Sequence, residues 1–453
     1  MRHTMIDYKK YTYLVLVSIL LILLPDVKAQ NNTYSPFSMF GIGEIEIYDF
    51  GRTAGMGNIG IGFQSENFLN RRNPAALSRI DSLRFIVDVS AALKFSEFTT
   101  SLHNVQTNNF NFKSLAAGVR LSKKWTGSVG LKPYSNVGYN IKTQQYVQGT
   151  ADSYENVLFK GSGGVNSFYW ANAFEVFRGF SAGITASYLF GNISYDVESE
   201  AISRTTTHNI SKIRFDFGLQ YSHTFGDNTN VTVGGIYVPE TKNIDIQRSE
   251  IITNYNVVEQ NRRLPDLKTL LPETYGAGFS VIHNRSDAEW ILAADYQFSN
   301  WAFVNNRAST STFHFLPGND SRAGEHVIVN NPDGRSRDSH LSYSDSHIYR
   351  VGLQLTPNTR RPENYFQIMR FQLGASYNRS YLKVNGYQME DLSVSFGIGI
   401  PFTNQFRAMS YVNIAVIAGE MQTGQRGGIT ERYILLSLNA SLIDRWFGKR
   451  QWD

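Results

Sequence analysis

The feature that most constrains this chain is a two-residue alternation of apolar and polar side chains over unusually long segments. In the segment 391–402, every even position from Leu392 to Phe402 is apolar, and the odd positions are Asp, Ser, Gly or Pro. Successive side chains of a β-strand point to opposite faces, so each such segment predicts a strand with one apolar face. Strands of soluble sandwiches are usually about 5–6 residues long. These segments are much longer, and they match the length that a tilted strand needs to cross a bilayer.

The same pattern recurs along the chain, for example at 83–96 and 213–222, where the odd positions are apolar. Fourteen strands are predicted, at 83–96, 110–123, 127–148, 164–177, 181–197, 210–225, 230–248, 274–283, 289–300, 346–356, 370–383, 391–402, 407–420 and 431–447. Bacterial single-chain barrels have an even number of strands, and only a closed barrel pairs every backbone polar group in lipid. The predicted fold is therefore all-β, a 14-stranded antiparallel transmembrane β-barrel at 83–447.

The first residues predict export. Lys9 and Lys10 precede an uninterrupted apolar run at 13–24, and a small-residue cleavage site ends at Ala29. This pattern is typical of a cleaved secretory signal peptide, here 1–29. The alternative is a membrane anchor, which needs about 20 apolar residues. We therefore expect the mature protein in the cell outer membrane, with lipid around the barrel.

Between the signal peptide and the barrel lies an extension, 30–82, that does not alternate and is rich in Gly, Asn and Pro. An irregular segment is tolerated inside a barrel, because the lumen wall satisfies its backbone. The extension is therefore predicted to be a hatch, or plug, in the lumen, and 448–453 a periplasmic tail. Gly55, Gly57 and Gly60 have the spacing of a dinucleotide-binding loop, but no strand precedes them and no helix follows, so NAD binding is excluded.

The composition excludes other classes of function. The net charge of +5 is too weak to indicate nucleic acid binding. The absence of Cys excludes a lipid-anchored lipoprotein, a disulfide framework and a thiolate metal site. We find no catalytic set, metal site or cofactor motif and predict that the protein is not an enzyme. Charged residues predicted to face the lumen are Arg84, Asp88, Arg214, Asp216, Asp295 and Arg350. They either form a polar ligand site or pair with one another and hold the plug.

Two short elements of the extension carry a resemblance to a known family. They consist of Gly51, Arg52, Gly55 and Gly57, followed by Asn73, Pro74 and Ala75. A further segment, Leu271-Pro272-Glu273-Thr274, leads into the eighth predicted strand. With these motifs and its strand number, the chain resembles the FadL/TodX family of outer-membrane hydrophobic-compound transporters. Members of that family are fourteen-stranded barrels, and the resemblance implies that the two elements form a hatch motif.

The third predicted strand is interrupted. Val129 and Leu131 keep the lipid-facing register, and Val137 and Tyr139 are predicted to resume it. Between them lie Pro133, Tyr134, Ser135 and Asn136. Proline removes a ladder hydrogen bond and marks broken pairing within a strand. FadL/TodX proteins have a kink in the third strand that opens the wall sideways, so the resemblance implies a lateral gate at these four residues. The alternative is a bulge that only helps the barrel to curve.

The resemblance implies passive uptake of a hydrophobic or amphipathic small molecule, past the hatch and out through the lateral gate. A related hypothesis is that Asn73-Pro74-Ala75 anchors the hatch near the break at Pro133–Asn136, with the Asn73 side chain bonding strand groups that Pro133 leaves unpaired. The alternative function is a non-enzymatic barrel subunit, an adaptor, shuttle or scaffold in an outer-membrane protein assembly or secretion complex. Its partners would be other outer-membrane or secretion-complex proteins. The long polar loop at 301–345 favours the alternative, and the break at Pro133 favours the channel.

Overall fold

The computed structural model describes residues 34–445, with ten gaps. These gaps are 83, 101–103, 147–153, 286, 308–325, 331–335, 359–361, 385, 404–408 and 426–427. The predicted signal peptide 1–29 and the predicted tail 448–453 lie outside the described residues.

The described residues form a closed antiparallel barrel of fourteen strands, as predicted. In chain order the strands are β1 Arg84–Thr99, β2 Asn104–Arg120, β3 Trp125–Tyr146, β4 Tyr154–Phe177, β5 Phe180–Glu198, β6 Ile202–Phe225, β7 Thr229–Val238, β8 Thr274–Arg285, β9 Ala288–Ser299, β10 Ser346–Thr356, β11 Arg370–Val384, β12 Tyr387–Thr403, β13 Met409–Gln422 and β14 Thr430–Arg445. The last strand pairs with the first, from Arg445 opposite Arg84 to Thr430 opposite Thr99. This seam closes the ring.

The two faces of the wall follow the alternation in the sequence. In β12, Val394 is 57% exposed and Phe396 49%, whereas Ser393 and Ser395 are 3% and 5% exposed. Because the chain buries its polar positions and exposes its apolar ones, the exterior of the barrel suits lipid rather than water. Short turns such as 121–124 lie at one end of the barrel, the turn end. The two longest connections, 239–273 and 300–345, lie at the other, the loop end.

The seventh strand differs from its prediction. The structure ends β7 at Val238, just before Pro239, and a new strand begins at Thr241. The strand Thr241–Asn254 pairs with the upper part of β6 and with the strand Val257–Leu271, which forms a hairpin with it. The prediction of one continuous strand at 230–248 is therefore wrong. Proline lacks the N–H that a continuous ladder requires, which accounts for the interruption at 239.

The connection between β9 and β10 contains the helix Ala302–Arg307 and the strands His326–Asn330 and Ser336–Tyr343. The connection between β10 and β11 contains the 3₁₀ helix Tyr365–Ile368. Among the described residues, no helix is long and apolar enough to cross a membrane.

Residues 34–82, the lumen segment, lie inside the barrel. Their regular structure is limited to the 3₁₀ helices Pro36–Met39, Ala54–Met56 and Pro74–Arg79 and the short strand Glu44–Ile45. Pro74–Arg79 packs against β3–β6, while Ala54–Met56 packs against β10–β13. Since these strand groups lie on opposite sides of the ring, the lumen segment crosses the whole interior.

The exposure pattern leads to a prediction about the membrane face. Replacing Val394 with Arg should destabilise the folded barrel by about 2–4 kcal/mol, because the charge enters the middle of the bilayer. The control is Tyr387→Arg, at the loop end of the same strand, where Tyr387 is 51% exposed and the cost should be about 0–1 kcal/mol. Denaturant titration of the barrel in lipid vesicles measures both values. Equal losses would show that β12 does not face lipid at Val394.

Candidate functional site: the lumen segment and the break in the wall

The wall of the barrel satisfies the irregular backbone of the lumen segment. The carboxylate of Asp295, on β9, accepts hydrogen bonds from the backbone N–H groups of Gly60, Ile61 and Gly62, at 2.5, 2.9 and 3.3 Å. Hydrogen bonds to an ionised acceptor are about twice as strong as neutral ones. Asp295 is 5% exposed, so this carboxylate is a buried anchor for the segment.

Asn73 fixes the other side of the segment. Its side-chain oxygen accepts a hydrogen bond from Ala75 N and caps the 3₁₀ helix Pro74–Arg79, whose first residue is Pro74. Its amide donates to the carbonyl oxygens of Ile61, at 2.8 Å, and Leu219, at 3.1 Å. Leu219 belongs to β6, so the Asn73 amide bonds β6 and not the groups around Pro133 on β3. The hypothesis that Asn73 anchors the hatch at Pro133 is wrong.

The glycines of the first motif allow backbone to lie directly on backbone. A Cβ atom added to Gly55 would lie 2.5 Å from the Cα atom of Gly397, on β12. Gly57 has a positive φ of 65° and donates its N–H to Ser395 Oγ at 2.9 Å. Only glycine combines that φ with such close approach at low cost. The spacing that imitates a dinucleotide-binding loop thus serves contact with the barrel wall.

Buried ion pairs hold the centre of the segment. Arg71 Nη2 lies 2.5 Å from Asp49 Oδ1, and Arg71 Nη1 lies 3.7 Å from Asp88 Oδ1 on β1. Burial alone would raise the pKa of Asp49, but the charges of Arg71 and Arg72 outweigh it, so this pKa lies below its usual value. Asp49 is therefore ionised at neutral pH. Asp88 also accepts a hydrogen bond from Asn439, on β14.

The other charges predicted for the lumen serve related contacts. Arg350 Nη2 donates to the carbonyl oxygen of Ile47 at 3.3 Å, and Arg84 lies 3.9 Å from the carboxylate of Glu66. Arg214 and Asp216 pair with each other at 3.0 Å. Of the two interpretations of these charges, the structure favours paired residues that hold the segment over a polar ligand site.

Arg52, the remaining residue of the hatch motif, is 3% exposed. Its guanidinium donates to Ser65 Oγ at 2.5 Å and lies 5.2 Å from the ring centroid of Phe63. Its carbonyl oxygen accepts a hydrogen bond from Gln372, on β11, at 3.1 Å. Arg52 therefore links two parts of the segment to each other and to the wall.

The wall is interrupted between β2 and β3. The two strands pair only from Arg120 opposite Thr126 to Leu115 opposite Leu131. On its other side, β3 pairs with β4 along its whole length, with a register shift between Pro133 and Ser135. The shift marks Tyr134 as the extra residue of a bulge, which bends a strand. All four predicted gate residues therefore lie immediately above the point where β2 and β3 separate.

The lumen segment covers the free edge of β3 from inside. Glu44 pairs with Asn136 and Ile45 with Ser135, while Glu46 N donates to the carbonyl oxygen of Tyr134 at 3.0 Å. The Tyr134 hydroxyl accepts a hydrogen bond from Arg214 at 3.0 Å, across the lumen. The strand Glu44–Ile45 thus takes the place that β2 leaves vacant.

The bulge also reverses the two faces of β3. Val137 is 0% and Tyr139 8% exposed, and both belong to one buried apolar cluster with Phe37 and Phe40 of the lumen segment. The prediction that Val137 and Tyr139 resume the lipid-facing register is therefore wrong, because one extra residue in a strand exchanges its inner and outer positions.

Side chains of the protein itself also fill the loop end of the barrel interior. Trp301 and Val304 join Phe37 and Phe40 in one buried apolar cluster with residues of β3–β6. The rings of Trp301 and Tyr381 are stacked, with centroids 4.2 Å apart.

A small cavity lies behind the break, with a volume of about 60 Å³. Its lining includes the polar side chains of Glu44, Lys94, Asn109, Lys113 and Asn136. A wider depression, of about 630 Å³, lies at the loop end of the wall, where its lining includes Glu97 and the exposed side chains of Phe95 and Ile434.

The sequence did not reveal some contacts that matter most here. Neither Glu44–Ile45 nor its pairing with β3 carries a signal, since the strand is only two residues long. Asp295 was one of several lumen charges, and its three backbone partners belong to a segment distant in sequence. The one available sign was the excess of inward glycines on the strands that the segment touches.

The fold and this interior define the class: an outer-membrane β-barrel whose lumen holds its own N-terminal segment. Three solved structures share the fold. The CymD monoaromatic hydrocarbon channel is 15% identical in sequence, with a TM-score of 0.51, and the match covers 91% of this chain and 100% of that chain. The Ralstonia pickettii toluene transporter TbuX is 12% identical, with a TM-score of 0.52 and coverage of 87% of this chain and 97% of that chain. The Pseudomonas putida toluene transporter TodX is 12% identical, with a TM-score of 0.50 and coverage of 90% of this chain and 100% of that chain.

Within that class, the chain belongs to the BamG family, whose sequence model matches residues 9–453. No curated protein matches the chain in sequence. The resemblance to the FadL/TodX family therefore holds for the fold, whereas the family that matches is BamG.

The close backbone contacts predict the effect of a single added side chain. Replacing Gly234, on β7, with Val should unseat the lumen segment, because a Cβ atom there would lie 2.0 Å from the carbonyl oxygen of Ile61. The control is Gly235→Val, where the nearest atom is 3.8 Å away. Limited proteolysis of folded barrels should cut within 34–82 only in the first variant. Equal resistance of both variants would contradict the contact.

A second prediction concerns the buried ion pairs. Arg71→Gln should destabilise the seated segment by about 3–5 kcal/mol, since it leaves buried carboxylates without their partner. Arg79→Gln is the control: the Arg79 side chain is 57% exposed and lies 3.3 Å from Glu66, a surface pair worth about 0–1 kcal/mol. Hydrogen exchange of the segment amides measures the difference. Similar protection in both variants would show that Arg71 does not hold the segment.

Proposed function

We propose that this protein is a non-enzymatic barrel subunit of an outer-membrane protein complex, where it acts as a scaffold and adaptor. The observation that carries this proposal is the occupied interior. Phe37, Phe40 and Trp301 fill the loop end of the lumen, and the cavity behind the wall break measures about 60 Å³. An engineered protein cavity that binds benzene measures about 150 Å³, so this space is small even for a compact hydrocarbon.

The attachment of the lumen segment supports the same proposal. Asp295 binds three backbone N–H groups, and Arg71 forms buried ion pairs on two sides. Removing one partner of a buried pair typically costs about 3–5 kcal/mol. A plug that opens for each ligand would have to break several such contacts at once. In a scaffold these contacts are an advantage, because they make the barrel a rigid body on which partners dock.

Membership in the BamG family points to outer-membrane proteins as the partners. The loop end offers docking surface for them. The hairpin formed by Thr241–Asn254 and Val257–Leu271 is largely exposed, and at its tip Tyr255 is 77% exposed. Such exposed apolar side chains, grouped on a projecting element, are typical of interaction surfaces.

One observation favours a second candidate, a channel for passive uptake of hydrophobic compounds with a lateral exit. Pairing of β2 with β3 stops at Leu115 opposite Leu131, at the predicted gate. The barrel shares its fold with TodX, TbuX and CymD, which are described as toluene transporters and a monoaromatic hydrocarbon channel. In this candidate, the lumen segment acts as a hatch, and a ligand leaves between Pro133–Asn136 and β2.

Depletion of the protein in living cells distinguishes the two candidates. For the scaffold, we expect a tagged protein to purify from native membranes in a defined stoichiometric complex with other outer-membrane proteins. Its depletion should then lower the amounts of other outer-membrane barrels, while uptake of labelled toluene stays normal. The control is a depleted strain that expresses the wild-type protein at matched surface levels.

The reverse result would favour the channel. If the protein purifies as a monomer with bound hydrophobic molecules, and if depletion reduces toluene uptake while other barrels keep their normal amounts, the scaffold proposal is wrong.

A further inference from the structure

The free edge of β2 lacks a neighbour. Along 104–114, β2 pairs with β1 on one side, and among the described residues nothing pairs with its other side. The corresponding edge of β3 is covered from Tyr134 to Asn136 by Glu44–Ile45 and Glu46, and at Gly138 by Ser35. At this depth the break therefore leaves one open strand edge, that of β2, rather than two. An open edge presents a row of unpaired N–H and C=O groups that can pair with another strand.

Part of this edge lies at the depth of the lipid. Phe95 and Ile434 face each other across the seam and are 44% and 52% exposed, whereas the next outward pair is Glu97 and Arg432. This change from apolar to charged marks the upper limit of the apolar belt. Asn108 lies opposite Phe95 at that limit. The part of the edge below Asn108 is thus within the belt, where each unpaired backbone group costs several kcal/mol.

The side chains along the edge specify what can fill it. Phe112 is exposed on the outer face at 46%, and Asn108 is exposed above it. On the inner face, Asn109 and Lys113 line the small polar cavity. The Asn109 side chain is 4% exposed, and its Oδ1 atom has no hydrogen-bond partner. A strand placed here needs apolar side chains facing lipid and small polar side chains facing the cavity.

We propose that the edge 104–114 of β2 is a docking site for an amphipathic β-strand of another outer-membrane protein. Apolar-out, polar-in alternation is the pattern of outer-membrane barrel strands, so the chemistry of the edge matches that class of partner. The docked strand continues the sheet through backbone hydrogen bonds, and it supplies a polar group to Asn109. This inference rests on the proposed function, and it names the surface of the barrel that the partner occupies.

A synthetic strand tests the site in the purified full-length protein. The probe is a peptide with the sequence of β14, Thr430–Arg445, which alternates apolar and polar residues. Because the protein contains no Cys, one introduced cysteine is unique. The test variant is Asn108→Cys, on the free edge, and the control is Phe95→Cys, directly opposite on β1, which has neighbours on both sides. Peptides carry a single cysteine at successive positions.

With a mild chemical oxidant added to accept the two electrons, we expect disulfides between Asn108→Cys and the peptide, with a yield that rises and falls every second peptide position. The disulfide yield of Phe95→Cys should be at least about tenfold lower, because a docked strand lies one strand further from it. A peptide with an N-methylated backbone cannot donate the ladder hydrogen bonds, so its binding should weaken by a similar factor. Equal yields for the two variants, or for a scrambled peptide, would overturn the docking site.

The docking site and the proposed function can be refuted separately. Absence of strand docking, together with a stoichiometric complex in native membranes, would mean that the scaffold uses another surface. Strand docking by a protein that purifies as a monomer would mean that the edge binds strands but that the scaffold proposal is wrong.

Discussion

Every polar group of a backbone in lipid must find its partner within the protein, and the rest of this structure depends on that requirement. Fourteen strands meet it by closing into a ring at the seam between β14 and β1. The lumen segment has too little regular structure to meet it alone. Wall side chains such as Asp295 and Ser395 therefore supply the acceptors that its N–H groups need. Where the ring is interrupted, Glu44–Ile45 covers one of the two exposed edges.

The sequence predicted the barrel because a strand in lipid obeys a local rule. The alternation of Leu392, Val394 and Phe396 with serine and glycine depends only on which side faces lipid, so it determined β12 without knowledge of its neighbours. The same rule failed at β3. There a single bulged residue, Tyr134, moved Val137 and Tyr139 to the inner face, and nothing in the spacing of apolar residues distinguishes such a bulge from a continuous strand.

The candidate site was predictable in part. Pairing of β2 with β3 ends at Leu131, two residues before Pro133, and proline is incompatible with an uninterrupted ladder. The partner of Asn73 was not predictable. A polar side chain on an irregular segment can reach several strands of the wall, and only the folded ring brings Asn73 to β6 rather than to β3. Contacts between segments distant in sequence leave no local pattern, and Asp295 with Gly60–Gly62 is another example.

The contacts between the glycines of the segment and those of the wall restrict the order of assembly. Gly55 and Gly62 lie against Gly397 and Gly278, on β12 and β8, at distances that leave no space for a methyl group. A segment that touches several strands of the wall so closely cannot be threaded into a finished cylinder as a compact unit. We expect instead that β14 pairs with β1 when the lumen segment already lies between the strands. The seam between β14 and β1 then holds the segment inside.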